Sequence, residues 1–195
     1  MYYGNIKKND IANGEGVRTS LFVSGCRNCC KNCFNRETWA FDFGEPYTEE
    51  VEADILDSCR PSYNRGLTVL GGEPMEPENQ EGLLPLLKEV KSRYPEKNIW
   101  LYTGNLYEEL TGEMGEHEKH LPITEELLSL VDILVDGRYE ESRHRLGLRF
   151  RGSENQRIID MQKTRAEGRI VIWQGCAEDK KYQRKNNENG DKNEG

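Results

Sequence analysis

The chain has 195 residues and a formal net charge of −8, from 27 basic and 35 acidic side chains. This length predicts a single main domain. The acidic balance argues against a general nucleic-acid binder, which needs a basic surface for phosphate contacts. No apolar run exceeds four residues, so we expect a cytoplasmic protein with neither a membrane span nor a secretory signal.

Strand-like apolar segments recur along the chain at residues 19–24, 67–70, 99–102, 131–135 and 169–173. Helical patterns fill most of the intervals. Thr48 can cap one helix, a second covers about residues 78–94, and a third begins at Thr124. This alternation predicts an α/β fold with a mainly parallel sheet and crossover helices, arranged as a layer or as a partial barrel.

The segments that follow the predicted strands are rich in glycine and polar residues. They are the run beginning at Gly25 and Cys26, then Gly71-Gly72-Glu73-Pro74, Thr103-Gly104 and Asp136-Gly137. Ligands of parallel sheets bind beyond the carboxyl ends of the strands. We therefore expect all four segments to border one site.

Two stretches are predicted to lie at the periphery of the fold. Residues 105–121 hold five glutamates and little periodicity, which indicates a helix followed by a surface excursion. Residues 177–195 contain only Tyr182 as a large apolar group, which is typical of a disordered polar tail. The folded domain is thus predicted to cover residues 1–176.

A cluster of cysteines follows the first predicted parallel strand. Cys26, Cys30 and Cys33 have the spacing C-x3-C-x2-C, with Cys29 as an additional cysteine inside the motif. Thiolates so spaced can converge on one iron-sulfur cube, and three ligands leave one iron with an open coordination position. A structural zinc site and a redox disulfide remain alternatives at this point.

The three histidines do not add to this cluster. His117, His120 and His144 lie in polar surroundings, and we expect them at the surface rather than on a metal.

The same segments resemble a known family. A C-x3-C-x2-C motif followed by an aromatic residue, here Phe34, and a strand that runs into Gly71-Gly72-Glu73-Pro74 are similar to the two motifs of radical S-adenosylmethionine enzymes. The wider context resembles the activating proteins of anaerobic (class III) ribonucleoside-triphosphate reductases. That likeness is carried by residues 10–26, 33–39, 135–139 and 151–157, and it covers about residues 2–160.

The resemblance implies a partial, TIM-like barrel and a set of roles for individual residues. Cys26, Cys30 and Cys33 would ligate a 4Fe-4S cluster whose fourth iron binds S-adenosylmethionine. Asn32, Cys33 and Phe34 would contact the adenine, and the segment from Gly71 to Pro74 would contact the methionine end. Thr103 and Asp136 are further candidates for cofactor contact, although Asp136 can equally cap a helix. The cofactor radical performs the chemistry, so no catalytic side chain is assigned.

The resemblance also implies two protein partners. One is the large subunit of an anaerobic ribonucleoside-triphosphate reductase, on which a glycyl radical would be formed, and the other is reduced flavodoxin or ferredoxin as electron donor. Arg18, Arg27, Lys31 and Arg36 surround the cysteines and could steer an acidic flavodoxin. An activase of another glycyl-radical enzyme, of the formate-lyase type, and a non-catalytic metal-binding module are the alternative functions.

Overall fold

A computed structural model describes residues 1–175. The predicted tail, residues 177–195, and Cys176 lie outside the described residues. Strands β1 to β7 cover Tyr2–Asp10, Val17–Val23, Glu45–Pro46, Asn64–Gly71, Asn98–Tyr102, Ile133–Asp136 and Arg157–Asp160. Helices α1 to α5 cover Glu49–Cys59, Pro77–Arg93, Tyr107–Leu110, Thr124–Leu130 and Met161–Glu167. Two short 3-10 helices lie at Arg36–Trp39 and Glu141–Arg143.

The strands form one mixed sheet in the order β3-β1-β2-β4-β5-β6-β7. Strands β2, β4, β5 and β6 are mutually parallel, whereas β1, β3 and β7 pair antiparallel. The predicted α/β fold with a parallel centre is therefore confirmed. Within residues 1–175, no helix is long and apolar enough to cross a membrane.

The two faces of the sheet have different partners because side chains alternate along each strand. Leu21, Leu67 and Ile99 belong to the main core, which includes the apolar stripe of α2. The other face carries Trp100, whose ring packs edge-on against Phe150 with a centroid distance of 5.2 Å. The helices thus cover one face and leave the second face to line the site.

The helix termini follow local sequence rules. The Val51 amide donates to Thr48 Oγ1 at 3.4 Å, so Thr48 caps α1 as predicted. Pro77 begins α2, where its missing N–H costs no helical hydrogen bond. Pro85 lies inside α2 without ending it.

The periphery differs from the prediction in three places. Strands β1, β3 and β7 were not expected, and residues 169–173 form only a single bridge, between Ile172 and Ile159, rather than a strand. Strand β6 begins at Ile133 instead of residue 131, because Val131 ends α4. The stretch 105–121 contains α3 but also the almost fully buried Lys119, so it is more than a surface excursion.

Candidate functional site

A cavity of about 400 Å³ lies at the carboxyl ends of the parallel strands. This size falls within the range of about 300–1,000 Å³ that small-molecule sites occupy. Its lining comes from the loop after β2, the glycine turn after β4, the end of β5, and the chain after β6. The predicted site residues in the lining are Cys26, Cys30, Asn32, Cys33, Phe34, Gly71, Gly72, Glu73 and Thr103. Pro74 and Asp136 do not line it.

The three motif cysteines all line the cavity. Cys26, Cys30 and Cys33 are partly buried, whereas Cys29 is exposed and does not line the cavity. Cys29 has a φ of 47° and Asn32 a φ of 55°, and these left-handed residues turn the loop sharply. The loop geometry therefore separates Cys29 from the other three, in agreement with the motif.

Burial favours the protonated form of two of the motif thiols. Burial raises the pKa of Cys26 to about 12 and also raises the pKa of Cys30. No three His, Cys, Asp or Glu side chains within residues 1–175 are arranged around a single metal ion. A 4Fe-4S cube requires a wider spacing of ligands than a single ion, since each thiolate binds its own iron. Three cysteines around one cavity fit that requirement.

Glu73 joins the loops that border the cavity through hydrogen bonds. Its Oε1 accepts hydrogen bonds from the Met75 amide at 2.9 Å and from Thr103 Oγ1 at 2.8 Å. Its Oε2 accepts from the Gly104 amide and from Asn28 Nδ2, both at 2.8 Å. Burial raises the pKa of this carboxyl group. Glu73 therefore organises three loops instead of facing solvent.

The glycine turn is needed for close packing of backbone against backbone. A Cβ on Gly71, whose φ is +111°, would lie 2.7 Å from the Val23 carbonyl oxygen. A Cβ on Gly72 would lie 2.6 Å from the Gly25 carbonyl oxygen. The closest obstacles are thus strand β2 and the start of the cysteine loop, so both glycines hold that loop against the sheet.

Asp136 has a structural role away from the cavity. It is fully buried, and its Oδ2 accepts from the Tyr107 amide at 2.8 Å at the start of α3. Arg157 donates to the same carboxylate through Nε at 2.9 Å and through Nη2, and it also binds Glu108. Asp136 is therefore not the N-cap residue of a helix, since Leu106 is the N-cap of α3, but its carboxylate binds the first amide of that helix from the end of β6.

Two site residues were missed by sequence reasoning. The structure describes four buried side-chain polar atoms without a hydrogen-bond partner, and two of them, Trp39 Nε1 and Tyr102 Oη, belong to residues of the cavity lining. Burial also raises the pKa of Tyr102. Unpaired buried polar atoms are costly, so these two are available to a ligand. His144, expected at the surface, is exposed but also lines the cavity.

The basic patch predicted around the cysteines is partly wrong. Arg18 is fully buried on the sheet face opposite the helices. It donates to Thr68 Oγ1 and to the Leu67 carbonyl, both at 2.7 Å. Its guanidinium lies 5.5 Å from the Trp100 ring centroid. Arg18 cannot take part in steering, because a patch must face solvent.

A buried carboxylate holds the start of the cysteine loop. Glu76 is fully buried and accepts from the Arg27 amide at 2.8 Å and from Arg27 Nη1 at 2.5 Å. Lys119 Nζ also lies 2.8 Å from Glu76 Oε2. Arg27 further pairs with Glu78 at 2.6 Å. The charge of Arg27 is therefore largely balanced by its own neighbours.

Comparison with known proteins places these features in a family. A family model described as a 4Fe-4S single cluster domain matches residues 12–159. A protein of Pasteurella multocida is 38% identical over 160 residues, 81% of this chain and 96% of that protein. One of Enterobacteria phage T4 is 39% identical over 158 residues, covering 81% and 93% of the two chains. One of Escherichia coli is 32% identical over 158 residues, covering 80% and 96%. All three are named anaerobic ribonucleoside-triphosphate reductase-activating protein.

Proposed function

The chain belongs to the family of anaerobic ribonucleoside-triphosphate reductase-activating proteins, and on this premise we propose that it installs a glycyl radical on such a reductase in the cytoplasm. Cys26, Cys30 and Cys33 would hold a 4Fe-4S cluster, and the adjoining cavity would hold S-adenosylmethionine. When bound, these groups supply a 5'-deoxyadenosyl radical by one-electron reductive cleavage, which makes the protein a radical-generating oxidoreductase. Reduced flavodoxin or ferredoxin would supply the electron.

The single observation that carries this proposal is that the three motif cysteines line one cavity. Cys29 does not line it, whereas the glycine turn and the end of β5 do. A passive metal-binding module has no need of an adjoining cavity of about 400 Å³. The arrangement therefore favours a cluster with a second, small-molecule cofactor beside it.

The chain's own residues would bind and orient that cofactor. Trp39 Nε1 and Tyr102 Oη offer hydrogen bonds that no group within residues 1–175 takes up. The Phe34 ring is 99% exposed while lining the cavity, so a bound adenine would cover it. Glu73 keeps the rim rigid through its four hydrogen bonds. A site that holds its cofactor fixed and excludes water limits side reactions of a radical.

The sheet would correspond to the partial barrel of radical S-adenosylmethionine enzymes. Its face opposite the helices carries Trp100 and Arg18, and the cavity lies at one edge of that face. Ligand binding at the carboxyl edge is the rule for such sheets.

Anaerobic reconstitution with iron and sulfide tests the proposal. After reduction, the protein should form 5'-deoxyadenosine from S-adenosylmethionine. Cys30→Ala should lose both iron and product, because Cys30 lines the cavity. Cys29→Ala is the matched control and should retain both, because Cys29 is exposed. Equal loss of iron in the two variants would contradict the ligand assignment.

A further inference from the structure

The chain after β6 forms a basic rim on the cavity. We name residues 138–151 the arginine loop, because it contains five arginines and two glutamates in a protein of net charge −8. Tyr139 and His144 of this loop line the cavity. The loop therefore stands where a macromolecule must approach if any part of it is to enter the cavity.

Both glutamates of the arginine loop form hydrogen bonds or ion pairs with neighbouring residues. Glu141 accepts a hydrogen bond from Asn32 Nδ2 and pairs with Lys31 Nζ at 3.3 Å, which joins the loop to the cysteine loop. Glu140 lies 3.7 Å from Arg143 Nη1. Arg143 and Arg145 remain 53% and 59% exposed. The loop keeps a positive net charge, because its five arginines outnumber its two glutamates even though Arg143 and Arg145 pair with Glu140 and Glu154.

The cavity lining and the arginine loop each carry one highly exposed apolar side chain. Phe34 is 99% exposed and Leu146 is 96% exposed, and no other large hydrophobic residue among residues 1–175 is as exposed as either. Phe34 lines the cavity, and Leu146 lies two residues beyond His144, which also lines it. Single exposed apolar residues are ordinary. One of these residues at the cavity and one in the arginine loop beside it favour an interaction surface.

We infer that the arginine loop and Leu146 form the docking surface for an acidic, glycine-bearing segment of the reductase. This inference rests on the proposed function, since formation of a glycyl radical requires the partner's glycine to reach the cavity. An electron donor needs only to approach the cluster and inserts no chain segment. The apolar rim residues suit an inserted segment, and the arginines suit acidic residues on either side of it.

Charge reversal tests the electrostatic part of the inference. The double variant Arg143→Glu and Arg145→Glu should raise the Kd for the organism's anaerobic reductase about tenfold at low ionic strength. The difference from the wild type should shrink as salt is added. Formation of 5'-deoxyadenosine without the reductase should be unchanged, because neither arginine lines the cavity.

Arg93→Glu is the matched control. Arg93 is 55% exposed and pairs with Glu89, much as Arg145 pairs with Glu154. Arg93 is the last residue of α2, which ends near the amino ends of the parallel strands, away from the cavity. This variant should bind the reductase like the wild type.

Truncation of Leu146 tests the apolar part. Leu146→Ala should raise the Kd for the reductase roughly threefold to tenfold. Tyr63→Ala, which truncates a side chain 60% exposed just before β4, should have no effect. Direct binding of the cluster-free protein to the reductase gives a second readout that does not depend on radical chemistry.

Two results would overturn the docking inference. One is a Kd for the reductase that stays at the wild-type value in the Arg143 and Arg145 variant. The other is slower reduction by flavodoxin with unchanged affinity for the reductase, which would make the loop a donor site. Failure of the proposed function has a different signature, namely a wild-type protein that yields no 5'-deoxyadenosine at all.

Discussion

Replacing Lys119 by methionine should lower the free energy of unfolding by about 3 kcal/mol. The Lys119 side chain is 1% exposed and its Nζ lies 2.8 Å from Oε2 of the fully buried Glu76. Breaking a buried ion pair by removing one partner costs about 3–5 kcal/mol. The lower end applies here, because Arg27 remains as a half-exposed second partner of Glu76.

Lys119 is charged at neutral pH. Burial lowers its pKa, but hydrogen bonds to Glu118 and Glu76 outweigh that effect, so the pKa lies above its usual value. A raised lysine pKa adds stability that is complete below the unfolded pKa and is lost as the pH rises through the folded pKa. The contribution is thus fully present at pH 8.

Urea unfolding of the cluster-free protein at pH 8 measures the effect. Lys88→Met is the matched control, because Lys88 pairs with Glu126 at the surface, where such pairs contribute about 0–1 kcal/mol. A double-mutant cycle with Glu76→Gln should give a coupling of about 1–3 kcal/mol. A loss below about 1 kcal/mol for Lys119→Met, with an unchanged m value, would mean that the buried pair stabilises no more than a surface pair.

Further predictions concern the cavity. Tyr102→Phe should weaken binding of S-adenosylmethionine yet leave the stability of the cluster-free protein unchanged or raised by about 1 kcal/mol, since it removes an unpaired buried hydroxyl; a clear loss of stability would mean that the hydroxyl already has a partner. Glu73→Gln should lower Tm and abolish cofactor binding, because an amide nitrogen cannot accept from Gly104 and Asn28; wild-type binding would contradict this. In the cluster-free protein at pH 8, iodoacetamide should modify exposed Cys29 far faster than Cys26, because burial raises the pKa of Cys26 to about 12. Mass spectrometry of the two peptides measures the two rates, and equal rates would contradict this prediction.

The central strands and the site could be predicted because their signals are local. The apolar runs of β2, β4 and β5 are buried on both faces and stand out in the sequence. The carboxyl-edge rule then places their following loops together. Strand β1 has mostly polar or exposed side chains, since it pairs near the edge of the sheet. Apolar and polar residues therefore alternate only weakly along it.

Charged residues were the weakest part of the prediction. Arg18 and Asp136 were expected at the site, yet both are buried in hydrogen-bond networks with partners far along the chain. Arg18 donates to Asn98 and Asp136 binds Arg157. A sequence does not show such partners, because the pairing depends on which strands become neighbours.

The unpaired atoms of Trp39 and Tyr102 were missed for a related reason. Each residue has an apolar body that suits a core. Only the structure shows that the polar atom of each has no partner among the described residues while the residue lines the cavity.

Electron paramagnetic resonance of the reductase detects directly whether this protein forms a glycyl radical on it. The reconstituted, reduced protein is mixed with S-adenosylmethionine and the organism's anaerobic ribonucleoside-triphosphate reductase. We expect a glycyl-radical signal on the reductase that is absent with Cys30→Ala and present with Cys29→Ala. A signal on a formate-lyase-type enzyme but not on the reductase, or no signal despite formation of 5'-deoxyadenosine, would contradict it.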